Sequence, residues 1–176
     1  NNGGSIAFNS KGSYTLTVTM TDALGRSFSD SAAITVYPIP EIELSLPQTG
    51  YVGEAVTASV TGSDLNDLTA AWTVTKDGGG SSPYTDYASG TLAADGGSIA
   101  FSAKGSYTLT ITSTDVLGRA FTQSAPITIY PIPAIQLALP QTGYVGEAFN
   151  ASITGSDLNG LTAAWTITKD GGSSSP

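Results

Sequence analysis

The chain has 176 residues, of which 40% are hydrophobic, and a formal net charge of −8 with only six Lys and Arg. This content is enough for packed cores in one or two small domains. The few scattered basic residues form no surface that would attract nucleic acid or an anionic membrane, and no stretch of about 18 apolar residues predicts a membrane span. His and Cys are absent, which removes imidazole bases, thiolate nucleophiles, disulfides and most zinc sites. We therefore expect no enzyme.

A sequence repeat organises the whole chain. Residues 1–83 align without a gap with residues 94–176, and 62 of the 83 aligned pairs are identical. Most of the differences are mild, such as Val74 against Ile167. Self-similarity at a fixed period predicts structural units in tandem.

The motif YPIP, at residues 37–40 and 130–133, marks the boundary between units. Its alternating prolines lack backbone donors and favour an extended, semi-rigid linker. We therefore predict that residues 1–37 are the C-terminal part of one unit, residues 38–130 are a complete unit, and residues 131–176 are the N-terminal part of another.

Six runs in the complete unit alternate apolar and polar residues, the pattern of half-buried strands. In chain order they are EIELSL from Glu41, AVTASVT from Ala55, LTAAWTVT from Leu68, SIAF from Ser98, YTLTITST from Tyr107 and APITIY from Ala125. Turn-forming residues separate the runs, and residues 76–93 contain Gly/Ser-rich sequence that we interpret as a loop. Six or seven short antiparallel strands predict an all-β sandwich.

The pentapeptide Leu46-Pro47-Gln48-Thr49-Gly50 resembles the LPxTG signal that sortases cut, and it recurs 93 residues later. A sorting signal lies near a C-terminus, before an apolar stretch and a basic tail, whereas here YVGEAVTASV follows. Proline is tolerated at a strand edge or bend, and glycine permits a turn. We predict that the segment is a bend of the first strand and that Gly50 carries the turn into the second strand.

Two aromatic residues indicate that the predicted sandwich has an immunoglobulin-like arrangement. Trp72 lies on the third run, where such sandwiches keep a buried Trp, and Tyr107 follows KGS, where a tyrosine corner would close the turn. Trp165 and Tyr14 hold the equivalent places in the flanking segments. Leu109 stands where the disulfide-bearing version has Cys, so we expect packing alone to hold the core.

The segments VGEAVTASVTGSD, AAWTVTKDGG and KGSYTLTITSTDVLGRAFTQSAPITIY together resemble polycystic-kidney-disease-type (PKD-like) and related bacterial immunoglobulin-like repeats. The resemblance covers essentially the whole unit, and its motifs specify a fold, which does not by itself specify a function. It implies a stalk, spacer or adhesive repeat of a secreted or surface-attached microbial protein. It also implies an extracellular or cell-surface location.

Acidic residues near the linker are the candidate metal ligands. In an immunoglobulin-like sandwich, the loops after the second and sixth strands lie where the preceding domain joins, so Asp64, Asp67 and Asp115 would approach Glu41. Ca²⁺ takes several oxygen ligands from carboxylates and carbonyls. The other copy lacks two of these carboxylates, however, and short Asp turns need no metal. A Ca²⁺ site is thus one alternative here, and no other cofactor is expected.

Tyr84 and Tyr87, in SSPYTDYASG, are the candidate ligand-binding residues. Both fall in the predicted loop, where aromatic rings could stack on sugars. A binding module for a glycan or a host protein is therefore the alternative to a purely structural role.

The two flanking segments together carry a whole unit except for the ten residues equivalent to 84–93. Half a sandwich exposes unpaired strand edges and an uncovered core face. Residues 131–176 of one molecule could be completed by residues 1–37 of the next, which would build a fibre. The other interpretation is a window on a longer array. Either way, the sequence predicts a stalk, adhesin shaft or filament whose partners are neighbouring repeats or further copies of the chain.

Overall fold

The structure is a computed structural model that describes residues 3–169 and 174–175. Its strands fall into three groups that follow the repeat. The N-terminal segment forms β1 (Gly12–Thr21) and β2 (Ser27–Val36). The central unit forms β3 (Glu41–Ser45), β4 (Thr49–Tyr51), β5 (Ala55–Ser63), β6 (Thr69–Lys76), β7 (Ser81–Pro83), the 3-10 helix η1 (Tyr84–Asp86), β8 (Ala88–Ala93), β9 (Gly96–Phe101), β10 (Gly105–Thr114) and β11 (Ala120–Tyr130). The C-terminal segment forms β12 (Ala134–Ala138), β13 (Ser152–Ser156), β14 (Ile167–Thr168) and β15 (Ser174–Ser175).

The central unit is a sandwich of two sheets, with strand orders β3-β5-β9-β8 and β4-β11-β10-β6-β7. All strand pairs are antiparallel except that of β4 with β11, which is parallel. Taking the strands in chain order as A, A′, B, C, C′, D, E, F and G, the sheets are ABED and A′GFCC′. This order is immunoglobulin-like and confirms the predicted fold class.

The core lies between the two sheets and is built from one face of each strand. Along β10, Tyr107, Leu109 and Ile111 are buried, while the threonines between them remain partly exposed. The alternation in the sequence dictates this arrangement, because successive strand residues point to opposite faces. The buried cluster comprises Val56, Ala58, Val60, Trp72, Val74, Ala88, Ile99, Phe101, Tyr107, Leu109, Ile111, Ile127 and Ile129.

The LPQTG segment carries the chain from one sheet to the other. Pro47 lies between β3 of the first sheet and β4 of the second, so the segment is a bend, as predicted. The prediction for Gly50 is wrong, because Gly50 is a strand residue opposite Ile129 and the turn falls at Gly53, with φ +77°. A Cβ on Gly50 would lie 2.9 Å from Val56 Cγ1 and 3.2 Å from Ile129 Cδ1. The missing side chain therefore lets β4 lie close over the core.

The prediction that the Gly/Ser-rich residues 76–93 form a loop is also corrected by the structure. It contains β7, η1 and β8, and the last residues of the stretch pair with β9 from Ala88 to Ala93. β7 pairs only with β6, and β8 only with β9, so both are edge strands. A short edge strand contributes little to the core and need not show apolar alternation, which is why the sequence pattern missed both.

The flanking segments repeat parts of the central unit in the same register. β1 pairs with β2 as β10 pairs with β11, with Gly12 opposite Val36 and Gly105 opposite Ile129. β12 pairs with β13 as β3 pairs with β5. Within the described residues, no helix has the length and apolarity needed to cross a membrane.

Candidate functional site at the junctions between repeats

Two ion pairs join neighbouring units. The Lys11 ammonium, just before β1, contacts the Asp64 carboxylate, just after β5. The Lys104 ammonium, just before β10, makes the same contact with the Asp157 carboxylate, just after β13. Each lysine is 53 positions from its aspartate, so equivalent residues make the contact at both junctions.

These pairs connect opposite ends of successive units. Within the central sandwich the start of β10 pairs with the end of β6, and the end of β10 pairs with the start of β6. The turn with Lys104 therefore lies at one end of the sandwich, and the turn with Asp64, before β6, lies at the other. Since Lys11 is the equivalent of Lys104, its pair with Asp64 joins the trailing end of one unit to the leading end of the next. The units consequently follow one another end to end.

The aspartates of these pairs occupy a backbone conformation that most residues avoid. Asp64 has φ +55° and Asp157 has φ +54°, the left-handed region that Gly, Asn and Asp adopt most readily. Three residues further on, Asp67 and Gly160 also share a left-handed position, with φ +65° and +80°. Asp67 and Gly160 can replace each other because that turn requires only a left-handed backbone conformation and no particular side chain. Asp is retained at the first position, where its carboxylate holds a lysine.

Asp115 builds the turn between β10 and β11 and connects it to the linker. Its Oδ1 accepts hydrogen bonds from the N–H groups of Leu117 and Arg119, both at 2.9 Å, and its Oδ2 accepts one from Arg119 Nε at 2.6 Å. Burial raises the pKa of Asp115, but these hydrogen bonds and the nearby guanidinium outweigh burial and leave that pKa below 3.8. Arg119 Nη2 also donates to the carbonyl oxygen of Pro38 at 3.2 Å. The guanidinium thus ties the linker to the leading end of the unit.

The N-terminal hairpin contains the same turn. Asp22 Oδ1 accepts from the N–H groups of Leu24 and Arg26 at 2.9 Å, and its Oδ2 accepts from Arg26 Nε at 2.7 Å. The Arg26 N–H is the largest influence on the pKa of Asp22, which is lowered because this bond and those from the Arg26 side chain and Leu24 outweigh desolvation. The turn is therefore formed by its own sequence, DxLGR, in both copies.

A cleft of ≈ 260 Å³ lies at the first junction, and it brings together three of the four predicted calcium ligands. Asp64, Asp67 and Asp115 line it together with Lys11, whereas Glu41 does not. Lysine and arginine side chains already contact two of the three carboxylates. Among the described residues, no group of three or more His, Cys, Asp or Glu side chains is placed to hold a metal ion. The Ca²⁺ site stays a prediction that calcium titration would test.

The tryptophans predicted to be structural differ sharply in exposure between the complete unit and the C-terminal segment. Trp72 is 7% exposed, and its indole Nε1 donates to the carbonyl oxygen of Ala93 at 3.0 Å, whereas Trp165 is 52% exposed. Tyr107 donates to the carbonyl oxygen of Ala103 at 2.7 Å, the geometry of a tyrosine corner, and burial raises its pKa.

Tyr14 makes the same corner in the N-terminal hairpin. Its hydroxyl donates to the carbonyl oxygen of Ser10 at 2.8 Å. The hairpin therefore keeps the local geometry of β10 and β11 without the rest of a sandwich around it.

Tyr84 and Tyr87, the candidate ligand-binding residues, lie in and directly after η1. Both pack against the core of their own unit. The Tyr84 hydroxyl donates to the carbonyl oxygen of Gly90 at 3.2 Å, and the Tyr87 ring meets the Tyr107 ring edge-on at a centroid distance of 6.0 Å. Their rings thus have partners within the unit, in contrast to the open loop that we predicted.

The sequence reasoning missed Lys11, Lys104 and Arg119 as junction residues. A signal for the ion pairs was present, because Lys11 with Asp64 and Lys104 with Asp157 are the same residues at the same spacing in both copies. Near-identity of the copies concealed it, since most other positions are also unchanged. Only the end-to-end arrangement distinguishes these positions.

Comparison with protein-family models finds no match, and comparison with curated proteins finds none. Among solved structures, a structure of murine CRIg matches with 12% sequence identity and a TM-score of 0.38. The match covers 52% of this chain and 98% of the CRIg chain. The fold assignment rests on the strand order and register described above.

Proposed function

We propose that this chain is a structural segment of a tandem array of PKD-like immunoglobulin-like repeats. In this proposal the array forms an extended stalk, adhesin shaft or filament of a secreted or cell-surface microbial protein. The proposed role is mechanical. The array keeps the parts of the protein at its two ends apart, and it needs no catalytic group for this. Repeats in series contact only their neighbours, so length and stiffness are the properties that such an array delivers.

The junction that occurs twice is the observation that carries the proposal. The same lysine contacts the same aspartate at both junctions, and both contacts join a trailing end to a leading end. A linker with alternating prolines and the bond from Arg119 to Pro38 further restrict the first junction. A set of contacts that recurs with the repeat favours a regular and stiff arrangement over freely jointed beads.

The outer faces of the strands also suit exposure outside a cell. They are rich in Thr and Ser, whose hydroxyl groups pair across strands, as Thr110 does with Ser124 at 2.8 Å. Lys and Arg number only six in the whole chain, which leaves few cleavage sites for trypsin-like proteases. The core contains no disulfide, since the chain has no Cys, and it is therefore indifferent to the redox state of its surroundings.

Distance measurement between spin labels tests the stiffness of each junction. The absence of native Cys means that introduced cysteines are the only labelling sites. Thr15→Cys with Thr57→Cys spans the first junction, and Thr57→Cys with Gln136→Cys spans the second. Labelled chain is diluted with unlabelled chain so that only distances within one molecule are measured. We expect one narrow distance distribution for each pair, and broad distributions at both junctions would refute the stalk.

Matched variants connect the stiffness to the ion pairs. Asp64→Asn keeps a residue that tolerates the left-handed conformation but removes the charge, so it should broaden the first distribution and leave the second unchanged. Asp157→Asn should do the reverse. Asp30→Asn removes an exposed carboxylate of β2 that contacts only its own segment, and it should change neither distribution.

A further inference from the structure

We infer that the pair of strands β4 and β11 is the contact by which each unit resists tension, and that a stretched unit opens only when this pair breaks. The inference rests on the proposed function, since it takes the array to carry tension along its length. Within the central unit, all of whose residues the structure describes, this pair is the one that runs parallel. It joins the N-terminal segment of the unit to its last strand.

Tension pulls the two strands in opposite directions along their length. β11 runs from the leading end of the unit to the trailing end, because it is antiparallel to β10, which starts at the trailing end. β4 is parallel to β11 and runs the same way. The preceding linker pulls the N-terminal segment at the leading end, and the following linker pulls β11 at the trailing end. The two strands are therefore sheared past each other, which loads their hydrogen bonds together.

β4 provides the hydrogen-bonded connection between the two pulled segments of the unit. β3 receives the load first, but it belongs to the other sheet and pairs with β5 alone. The two sheets of the central unit share no strand, so hydrogen bonds between the first segment and β11 run through β4. Ile42 and Leu44 of β3 flank the buried cluster, so β3 can detach while the centre of the core stays closed. Release of β4 is then the step that opens the unit.

Main-chain hydrogen bonds close both ends of this strand pair. The Thr128 N–H donates to the carbonyl oxygen of Gln48 at 2.9 Å, and the Val52 N–H donates to the carbonyl oxygen of Tyr130 at 2.9 Å. Between these bonds, the three residues of β4 lie opposite residues 128–130. Because shear acts along the whole pair, these bonds share the load.

Packing on both faces shields the pair from water. On the inner face, Gly50 lies directly over Val56 and Ile129 of the core. On the outer face, the rings of Tyr51 and Tyr130 lie side by side with a centroid distance of 6.4 Å. A hydrogen bond in surroundings of low dielectric constant is stronger than one in water. The packing thus strengthens the bonds that resist the tension.

Pro126 shows where the pair ends and which backbone groups it uses. The Thr128 N–H points towards β4, and alternate residues of a strand point to the same side, so the backbone nitrogens of Pro126 and Ser124 face the same edge of β11. Proline has no N–H to donate, and the pairing with β4 ends at Thr128. β11 therefore has one donor within the pair, at Thr128, and one on the edge that β4 does not cover, at Ser124.

Force spectroscopy on single molecules of the full chain tests the inference. Ile39→Cys and Ile132→Cys, at exposed positions of the two linkers, provide the attachment points in a chain that has no native Cys. Pulling between them shears β4 against β11. In a second protein, Ile39→Cys with Leu117→Cys places both attachments at the leading end, where Leu117 is exposed in the turn between β10 and β11. Pulling there peels the same pair apart from one end.

The two pulling geometries should give different opening forces. We expect the force in shear to be at least about twofold higher than the force in peeling, because sheared hydrogen bonds must break together rather than one at a time. The opening event is recognised by the length it releases, about 3.3–3.6 Å for each residue between the attachment points. Equal forces in the two geometries would overturn the inference.

A matched pair of proline variants makes the test specific. Thr128→Pro removes the N–H that bonds to Gln48, and it should lower the opening force in shear. Ser124→Pro makes the same change in the same strand at the uncovered edge, and it should leave that force unchanged. Circular dichroism verifies that each variant is folded. An unchanged force in folded Thr128→Pro, or equal losses in both variants, would refute the role of the pair. If Thr128→Pro does not fold, the comparison of the two geometries still decides.

The spin-label distances separate this inference from the proposed stalk. Narrow distance distributions together with equal opening forces keep the stalk and remove the role of β4 and β11. Broad distributions together with a higher force in shear refute the stalk and keep the pair as the contact that resists tension.

Discussion

Lys104 contacts the Asp157 carboxylate across the second junction, and this pair reproduces the contact of Lys11 with Asp64 across the first. The exposed fractions of the side chains also match, at 62% and 27% for the second pair and 63% and 27% for the first. The two lysines directly precede equivalent strands, β1 and β10, and both aspartates adopt the same left-handed conformation. A contact that recurs with this fidelity is a property of the repeat.

Salt should loosen both junctions without unfolding the units. Exposed ion pairs contribute only about 0–1 kcal/mol, and at 1 M ionic strength the Debye length falls to about 3 Å. We expect 1 M NaCl to broaden the distance distribution between labels at Thr15→Cys and Thr57→Cys. The melting temperature of the central unit should change little, because its core is apolar. Distributions that do not respond to salt would show that the linker alone sets the stiffness.

Leu109→Ala should destabilise the central unit by about 2–5 kcal/mol, the usual cost of deleting a large buried aliphatic side chain. Leu109 is fully buried between the sheets. Leu16→Ala makes the same change at the equivalent exposed position, and it should leave the unfolding of the central unit unchanged. Urea denaturation of both variants measures the difference. An equal loss in Leu16→Ala would contradict the exposure of Leu16 and would mean that its side chain is buried in solution.

Gly50→Ala should destabilise the central unit by about 1–3 kcal/mol, because the added methyl group overpacks the core. Its Cβ would lie 2.9 Å from Val56 Cγ1 and 3.2 Å from Ile129 Cδ1. Gly80→Ala is the control, since a Cβ there meets no atom within 4 Å. Thermal unfolding should separate the two variants clearly. A neutral Gly50→Ala would show that β4 can move off the core.

Asp115→Asn should flatten the acid end of the stability profile. The pKa of Asp115 is lowered in the folded state from 3.8, so its contribution is present above pH 3.8 and is lost as the pH falls through the lower folded value. The amide variant cannot titrate, and therefore it should be less stable at neutral pH but lose less stability below pH 3.8. Denaturation of both proteins over a pH series tests this, and a variant that keeps the native acid slope would contradict it.

The strands with alternating sequence and the packed Trp72 could be predicted from the residues alone. Strict alternation leaves a strand only one way to bury its apolar face, so β5, β6, β9 and β10 were evident. The edge strands β4, β7 and β8 could not be predicted, because each pairs with a single neighbour and its residues satisfy no apolar pattern. Gly50 was assigned to a turn because glycine is suited both to a turn and to a strand that lies close to the core, and the residue type alone does not distinguish the two.

The candidate site was also predicted only in part from the sequence. The sequence indicated that Asp64, Asp67 and Asp115 would gather at the leading end of the unit, and they do line one cleft. The contacts of Lys11 and Arg119 with two of those carboxylates were not predicted, because they cross either a unit boundary or a turn. The recurring Lys–Asp spacing was concealed by the near-identity of the two copies.

By itself, the sequence determined the repeat, its period and the inward faces of the main strands, since periodicity and alternation are local properties of a chain. Only the tertiary structure decided which ends of the units meet, which carboxylates hold side-chain cations, and which apolar faces are covered. Those outcomes depend on residues far apart in the chain. Lys11 and Asp64, for example, are 53 positions apart, and they meet only because the units follow one another end to end.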